Sequence, residues 1–433
     1  MFLEKRVVFR SALFLGYILL PFMSLPVLPS DYRPLSVLFF SLTGSFILLS
    51  RIVKRDMPAD ELILLGFLLV SIFQTLAFVA VLNDEYIKAI RHIIVLAVGF
   101  LSYISLKLFF RIYGIDDAMK LMGKVYIFIL AVGIIEILSI VHVLPWSFKS
   151  SINLLLSGRA VQRVQLVTSE ASWAAKILLF AIPIYAFLLA RYKNWWYLLG
   201  LILAGVLFCF TLSLDGFLAA GIAIIIFAIF KIRKILIRPK LFAAVVLAVA
   251  ILVMAFYFTY RIFPKSGQYY LGRIETLKTM RLNEIKQLPE TDASVFIRIY
   301  YPLIGLQMFL EKPYGVGLGG YSIYFKQFLD RIGIDYTRFP EVMEDIRTQT
   351  GDPKSLYAKI LAENGLYSGW IIIIFFILQL YYLKRISADG IIYRNLVMGL
   401  LAVNLAVLFQ FGSYAYLPLW FTLAMNETHS SMD

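Results

Sequence analysis

Apolar runs of membrane length follow one another along this chain with few charges inside them, and no other feature restricts its fold so sharply. A bilayer core about 30 Å thick takes roughly 20 apolar residues in helical form, because each backbone N–H and C=O must be satisfied within the segment. Such runs lie at 9–28, 34–51, 62–83, 88–106, 125–142, 172–190, 194–212, 215–230, 241–260, 364–383 and 395–411. With 61% hydrophobic residues, no soluble domain could hide the apolar surface. The expected fold is all-α: a polytopic inner-membrane helical bundle of 11–12 transmembrane helices, forming one membrane domain over 1–433. The first run has no small-residue cleavage site after it and is expected to stay as a span.

The stretch from Asn194 to Phe230 holds one charge, Asp215, and is nearly twice as long as the core is thick. It must turn, and Thr211 to Gly216 is the place. A break from Gly412 to Pro418 leaves a last short segment, Leu419 to Met425, that reads equally as a re-entrant piece or a twelfth crossing.

Lysine and arginine orient the chain. With the N-terminus in the cytoplasm, the inside loops collect Lys5, Arg6 and Arg10, then Arg51, Lys54 and Arg55, then Lys107, Arg111, Lys120 and Lys124. Further along they collect Arg191, Lys193, Lys231, Arg233, Lys234, Arg238, Lys240, Lys384, Arg385 and Arg394, against few cations in the short outside loops. This asymmetry accounts for most of the +14 net charge, so the basic balance is no sign of a nucleic-acid partner. The single cysteine, Cys209, excludes an intrachain disulfide and a multi-cysteine zinc site.

Two outside segments stand apart. The first, 143–171, leads into "GRAVQRVQLVTSEASWAAKILLF", where Arg159, Arg163, Glu170 and Lys176 crowd the mouth of the sixth span. Ionisable groups so near a membrane are costly unless they face a cavity or one another. They read either as an interfacial salt-bridge cluster or as a substrate site in which guanidinium groups grip phosphate and a carboxylate serves as base. Glu136, within the fifth span, is read as facing the cavity or pairing with a neighbour such as a lysine. The second segment, 261–359, is a large helical loop. Ile274, Leu277, Leu282 and Ile285 mark an amphipathic helix, and a second helix spans 294–310, ending before Pro313. No compact apolar pattern within this loop predicts a core of its own.

Gly315, Gly317, Gly319 and Gly320 then precede a helical segment from Tyr321 to Ile332. Glycines before a helix N-terminus can cradle a phosphate or can simply make a tight turn, and no Walker or dinucleotide pattern accompanies them. Tyr321 is read as a core or interfacial aromatic before a sugar-stacking one. Glu363 is expected to cap the tenth span.

Four stretches carry a family resemblance. "RVQLVTSEASWAA" resembles the Arg…Glu-Pro-Ser-x-x-Ala entrance of the O-antigen polymerase (Wzy) family, with Ala171 standing where many members have proline. "FTLSLDGFLA" is similar to that family's Thr-x-Ser-x-(Ser/Thr)-Gly hairpin, with Leu214 and Asp215 at its variable positions. "RIYYPLIGLQMFLEKPYGVGLGGY" resembles the Arg-led helix and glycine run shared by the polymerases and the O-antigen ligases, and "SLYAKILAENGLYSGW" resembles the segment returning to the membrane.

The resemblance implies a lipid-linked-sugar glycosyltransferase of GT-C-like architecture, working without metal or other cofactor on the periplasmic face of the inner membrane. Its substrate would be an undecaprenyl-pyrophosphate-linked oligosaccharide, its surroundings membrane lipid, and a chain-length regulator protein a further partner. Carried over by motif, Arg163 and Arg298 would bind the donor pyrophosphate with Arg159 auxiliary, and Glu170 would orient or deprotonate the acceptor hydroxyl. Lys176, Gly317, Gly319 and Tyr321 complete the expected substrate contacts. An O-antigen ligase acting on lipid A-core and a lipid-linked oligosaccharide flippase are the alternatives. The ligases carry a histidine in the returning segment, whereas here that stretch reads "DPKSLYAKILAENG". A flippase should place charge through the bundle midplane, where most spans are bare.

Overall fold

The structure is a computed structural model describing residues 2–25, 34–158, 160, 163–231, 293–333, 335–386 and 390–430. Among these, every regular element is helical. In order they are α1 (Phe2–Ile18), α2 (Ser36–Lys54), α3 (Ala59–Thr75, running on through a π-helical turn Leu76–Val81), α4 (Tyr86–Tyr113), α5 (Ile115–Ile140) and α6 (Trp146–Ser157). Next come α7 (Ala171–Tyr192), α8 (Trp195–Phe210), α9 (Leu214–Phe230), α10 (Ala293–Glu311), α11 (Gly320–Ile332) and α12 (Pro340–Arg347). Last are α13 (Leu356–Lys359), a second π-helical turn (Ile360–Asn364), α14 (Gly365–Arg385), α15 (Ile391–Val407) and α16 (Leu417–Ser430).

Six of these stretches are long and apolar enough to cross a membrane: Ser36–Lys54, Ala59–Val81, Tyr86–Tyr113, Ile115–Ile140, Ala171–Tyr192 and Leu356–Arg385. Shorter apolar helices, Val8–Ile18, Trp195–Phe210, Leu214–Phe230 and Ile391–Val407, stand beside them. The chain is a multi-pass membrane protein. The hairpin forms where the length argument demands it, and the Ser213 hydroxyl caps α9 by accepting the Gly216 N–H at 3.1 Å. The expected span at 241–260 and the stripe from Ile274 to Ile285 lie outside the described residues.

The final segment is a core helix. Every residue of α16 from Leu417 to Thr428 is buried, and about 21 Å of helix results from its 14 residues. Gly99 of α4 permits the approach, since a Cβ there would stand 2.6 Å from Trp420 Nε1 and 2.5 Å from the Tyr414 carbonyl. Asn404 of α15 donates to the Pro418 carbonyl at 3.0 Å and to Thr422 Oγ1 at 2.8 Å. The far end of α16 carries Glu427.

There the charge count departs from the sequence reading. Lys107, expected in an inside loop, is fully buried within α4. Its Nζ lies 2.7 Å from Asp60 Oδ2, 3.2 Å from Glu61 Oε1 and 3.0 Å from Glu427 Oε1. Arg51 pairs with Glu61, Arg111 approaches Glu427 at 3.2 Å, and the Tyr103 hydroxyl donates to Asp60 at 2.5 Å. Three cations thus face three carboxylates drawn from α2, α3, α4 and α16, and the set is neutral.

The loop after α9 also differs from expectation. Phe296, Tyr301, Ile304, Met308, Tyr321, Phe325, Phe328, Leu329, Phe339 and Val342 form a hydrophobic core separate from the main one, with Ala362 of the second π turn joining it. The Tyr301 and Phe325 rings meet at 4.6 Å, and those of Phe296 and Phe339 at 5.1 Å. This core is assembled from aromatic residues scattered over α10, α11 and the approach to α12, so no single stretch displays it.

Replacing Lys107 with methionine should lower stability by about 3–5 kcal/mol, since buried carboxylates would be left uncompensated. Thermal unfolding in detergent reads this as a large drop in Tm, and an unchanged Tm would show that the ionic set does not hold α16.

Candidate functional site

The entrance segment before α7 is anchored from beneath. Glu136, fully buried near the end of α5, accepts the backbone N–H groups of Gln165 at 3.0 Å and Leu166 at 2.9 Å on one carboxylate oxygen. Of the alternatives left open by the sequence, a lysine neighbour is met, since Lys149 of α6 lies within electrostatic reach, and the carboxylate also holds a loop. Leu166 adopts a left-handed conformation (φ 55°), which lets both amides point at the same oxygen. Lys149 of α6 donates to the Arg163 carbonyl at 2.6 Å. Burial pushes the Lys149 ammonium down to about 8, opposed by Glu136 and reinforced by Arg163.

Above this anchor, Arg163 is half-buried beside the α8–α9 hairpin, where the Val164 N–H points at the Phe210 carbonyl (3.4 Å). Glu170 occupies the N-cap position of α7 with extended backbone and an exposed side chain. The Ser172 hydroxyl donates to it at 3.1 Å. Arg159 lies outside the described residues.

Two turns of helix carry the centre of charge. Arg298 of α10 grips Asp215 of α9 in a fork, Nε to Oδ1 at 2.9 Å and Nη2 to Oδ2 at 2.9 Å. Lys176, one turn into α7 and 5% exposed, sets its ammonium 4.4 Å from the Trp173 ring centroid and 5.4 Å from that of Phe411. It lies within electrostatic reach of Asp215, Glu170 and Arg298. The structure therefore brings Glu170, Lys176 and Arg298 together and adds Asp215, which the sequence reading left at a variable hairpin position. The signal for Asp215 was present as the single charge between Asn194 and Phe230.

The glycine-rich loop is placed elsewhere, in packing. Gly317 N–H donates to the Glu363 carbonyl and Gly319 N–H to its carboxylate, both at 2.9 Å, while Leu318 N–H donates to Thr75 Oγ1 at 2.9 Å. Gln74 completes the joint by donating to the Tyr314 carbonyl at 2.7 Å and to the Glu363 carbonyl at 3.0 Å. The concavity that could hold a phosphate already holds a carboxylate. Tyr321 is fully buried and donates its hydroxyl to the Tyr301 carbonyl at 2.8 Å. Gly317, Gly319 and Tyr321 thus have their polar groups engaged within the protein. Glu363 sits inside the second π turn instead of capping a helix.

Chemically, the mouth between α7, α9 and α10 offers two lysine and arginine side chains within reach of two carboxylates, with Arg163 at its edge. A guanidinium already held in a fork by a carboxylate presents the geometry that suits a phosphate group. Among the described residues, no group of three His, Cys, Asp or Glu side chains is placed to hold a metal ion.

Residues 199–368 match the family model described as O-antigen ligase. The match takes in α8 to α13, hence Asp215, Arg298 and the glycine-rich loop, and begins after the entrance residues Arg163, Glu170 and Lys176. No curated protein and no solved structure matches the chain. The chain is thus a multi-pass membrane protein whose residues 199–368 are similar to the O-antigen ligase family, consistent with the O-antigen ligase/polymerase superfamily.

Proposed function

We propose that the protein is an O-antigen polymerase, moving a growing glycan from undecaprenyl pyrophosphate to a second lipid-linked repeat unit at the periplasmic face of the inner membrane. The observation that carries this reading is the Arg298–Asp215 fork with Lys176 and Glu170 beside it, at the end of the bundle reached by the matched domain. The lysine and arginine asymmetry puts that end outside the cytoplasm.

In this reading the acceptor hydroxyl attacks the anomeric carbon while the bond to the diphosphate breaks, and negative charge grows on the departing oxygen. Arg163 and Arg298, helped by Arg159 and Lys176, meet that charge, Arg298 with donors that Asp215 has already oriented. Asp215 holds the Arg298 plane in orientation until the diphosphate shares it. Glu170, exposed at the mouth, orients the acceptor hydroxyl and takes its proton. Guanidinium groups take the part that a metal ion plays in other glycosyl transfers, and a chain-length regulator is the expected protein partner.

A ligase handing the glycan to lipid A-core is the second reading, favoured by the description of the matched family and by one structural fact. His92 of α4 packs against Gly319, within electrostatic reach of Asp352 and Lys359. A returning segment without its own histidine is therefore not without one in space.

Arg163→Ala and Arg298→Ala should each cut polymer formation by about 100-fold or more at near-normal protein levels. Lysine should rescue poorly, because it keeps the charge and loses the planar fork. Wild-type polymer from either alanine variant would remove that residue from the site.

Deletion of the gene should leave lipid A-core bearing single repeat units, seen on a lipopolysaccharide gel. Bare core without a single-unit band would favour the ligase, and an unchanged ladder would overturn both readings.

A further inference from the structure

The helix that carries Arg298 has an apolar face turned away from the protein. Ile299, Leu303, Leu306 and Leu310 of α10 are 43, 47, 40 and 77% exposed. At 3.6 residues per turn they fall within a strip about 60° wide. The two charged residues of α10, Arg298 and Glu311, lie to either side of that strip, and Glu311 pairs with Arg331 of α11. The opposite side, with Tyr301, Ile304 and Met308, is buried in the separate hydrophobic core. A continuous apolar face left open on the outside of a protein marks a site of protein or membrane contact.

Both ends of α10 are fastened to the outer ends of apolar helices. Near its start, Arg298 grips Asp215 in the first turn of α9. Just past its end, the Pro313 carbonyl accepts the Leu366 N–H at 2.7 Å, at the start of α14. Between the two, Gly305 rests on α13, where a Cβ would stand 3.2 Å from the Ala358 carbonyl oxygen. The helix from Arg298 to Glu311 covers about 20 Å. It therefore runs across the outer end of the bundle, along the membrane surface and not through it.

The exposed strip is continuous with surface that faces lipid. Tyr314 is exposed beside the joint of Pro313 and Leu366. On α14, Leu366, Tyr367, Trp370, Ile373 and Ile377 are exposed along a stretch long and apolar enough to cross a membrane. Tyrosine and tryptophan collect at the head-group level, so Tyr314, Tyr367 and Trp370 mark that level where α10 ends.

We propose that α10 is an interfacial helix whose Ile299, Leu303, Leu306 and Leu310 face is seated in the phospholipid acyl chains of the leaflet at this end of the bundle. Such a helix buries its apolar strip about 5–10 Å into the boundary between head groups and chains. Arg298, on the flank of the strip, is then held among the lipid phosphates. A diphosphate borne on a lipid meets this guanidinium without leaving the leaflet. That consequence rests on the glycosyl-transfer reading above, whereas the seat of α10 does not.

The test uses full-length protein in phospholipid liposomes without substrate. Cys209→Ala removes the single thiol. A nitroxide is then attached through Ile299→Cys, Leu303→Cys, Leu306→Cys or Leu310→Cys, one at a time, with Arg347→Cys on exposed α12 as the aqueous control. Relaxation by oxygen against a water-soluble nickel chelate should place all four strip positions at a similar depth, about 5–10 Å into the leaflet, and 347 in water. Strip labels relaxed chiefly by nickel would overturn the proposal. Labels that neither agent reaches would also overturn it, since a second copy or another segment of this chain would then cover the strip. A label at 299 in water, with the others in lipid, would lift Arg298 out of the leaflet and overturn its placement. Equimolar lipid-diphosphate-linked repeat unit should leave the four signals unchanged. A shift at that ratio would assign the strip to the tail of the carrier and overturn the seat in bulk lipid. Absence of chain lengthening by the wild-type protein in the same liposomes would defeat the glycosyl-transfer reading and leave the seat of α10 standing.

Discussion

A lysine ammonium withdrawn from water inside a membrane bundle must be neutralised where it stands, and the rest of the structure is arranged around how this is done for Lys107. Three carboxylates from two helices surround its Nζ at 2.7 to 3.2 Å. One of them, Glu427, belongs to α16, which is thereby fixed at one end. Its other end is held by Asn404, and Trp420 donates its ring N–H to the Tyr414 carbonyl at 2.7 Å. That contact ties down the turn containing Phe411 and Gly412, which divides Lys176 from Asp352. Charge pairing at one end of the bundle so reaches, through a single buried helix, the wall of the mouth at the other.

At the mouth itself the same constraint orients the cations. Arg298 is held by Asp215, Lys359 by Asp352, and Lys176 rests on two aromatic rings. Each cation is oriented before any ligand arrives, which is what stabilisation of developing charge requires. The glycine-rich loop serves this arrangement by packing. Its amides are spent on Glu363 and Thr75, and in exchange it brings α11 against α4 with no side chain between Gly319 and His92.

The six long apolar helices were legible in the sequence because hydrocarbon thickness acts on each run separately, and the turn at Ser213 followed from length alone. The helix over 294–310, the one after Gly320 and the crowding of charge before α7 were legible for the same local reasons. What escaped was formed by partners far apart in the chain. Asp215 and Arg298 are 83 residues apart, and Glu136 meets amides 29 and 30 residues on. Lys107 looked like a loop cation because the apolar run around it was truncated at the first charge, whereas α4 continues to Tyr113. The separate core of α10 to α12 escaped because its aromatic residues meet only after three helices have folded together.

The central claim is that this mouth joins one lipid-linked repeat unit to another. The direct measurement is chain lengthening by the purified protein in liposomes supplied with lipid-diphosphate-linked repeat units and nothing else. The account predicts products of two, three and more units still attached to the lipid diphosphate, with free lipid diphosphate released in step. Product that forms only when lipid A-core is added, with no lengthening on the lipid carrier, would contradict it.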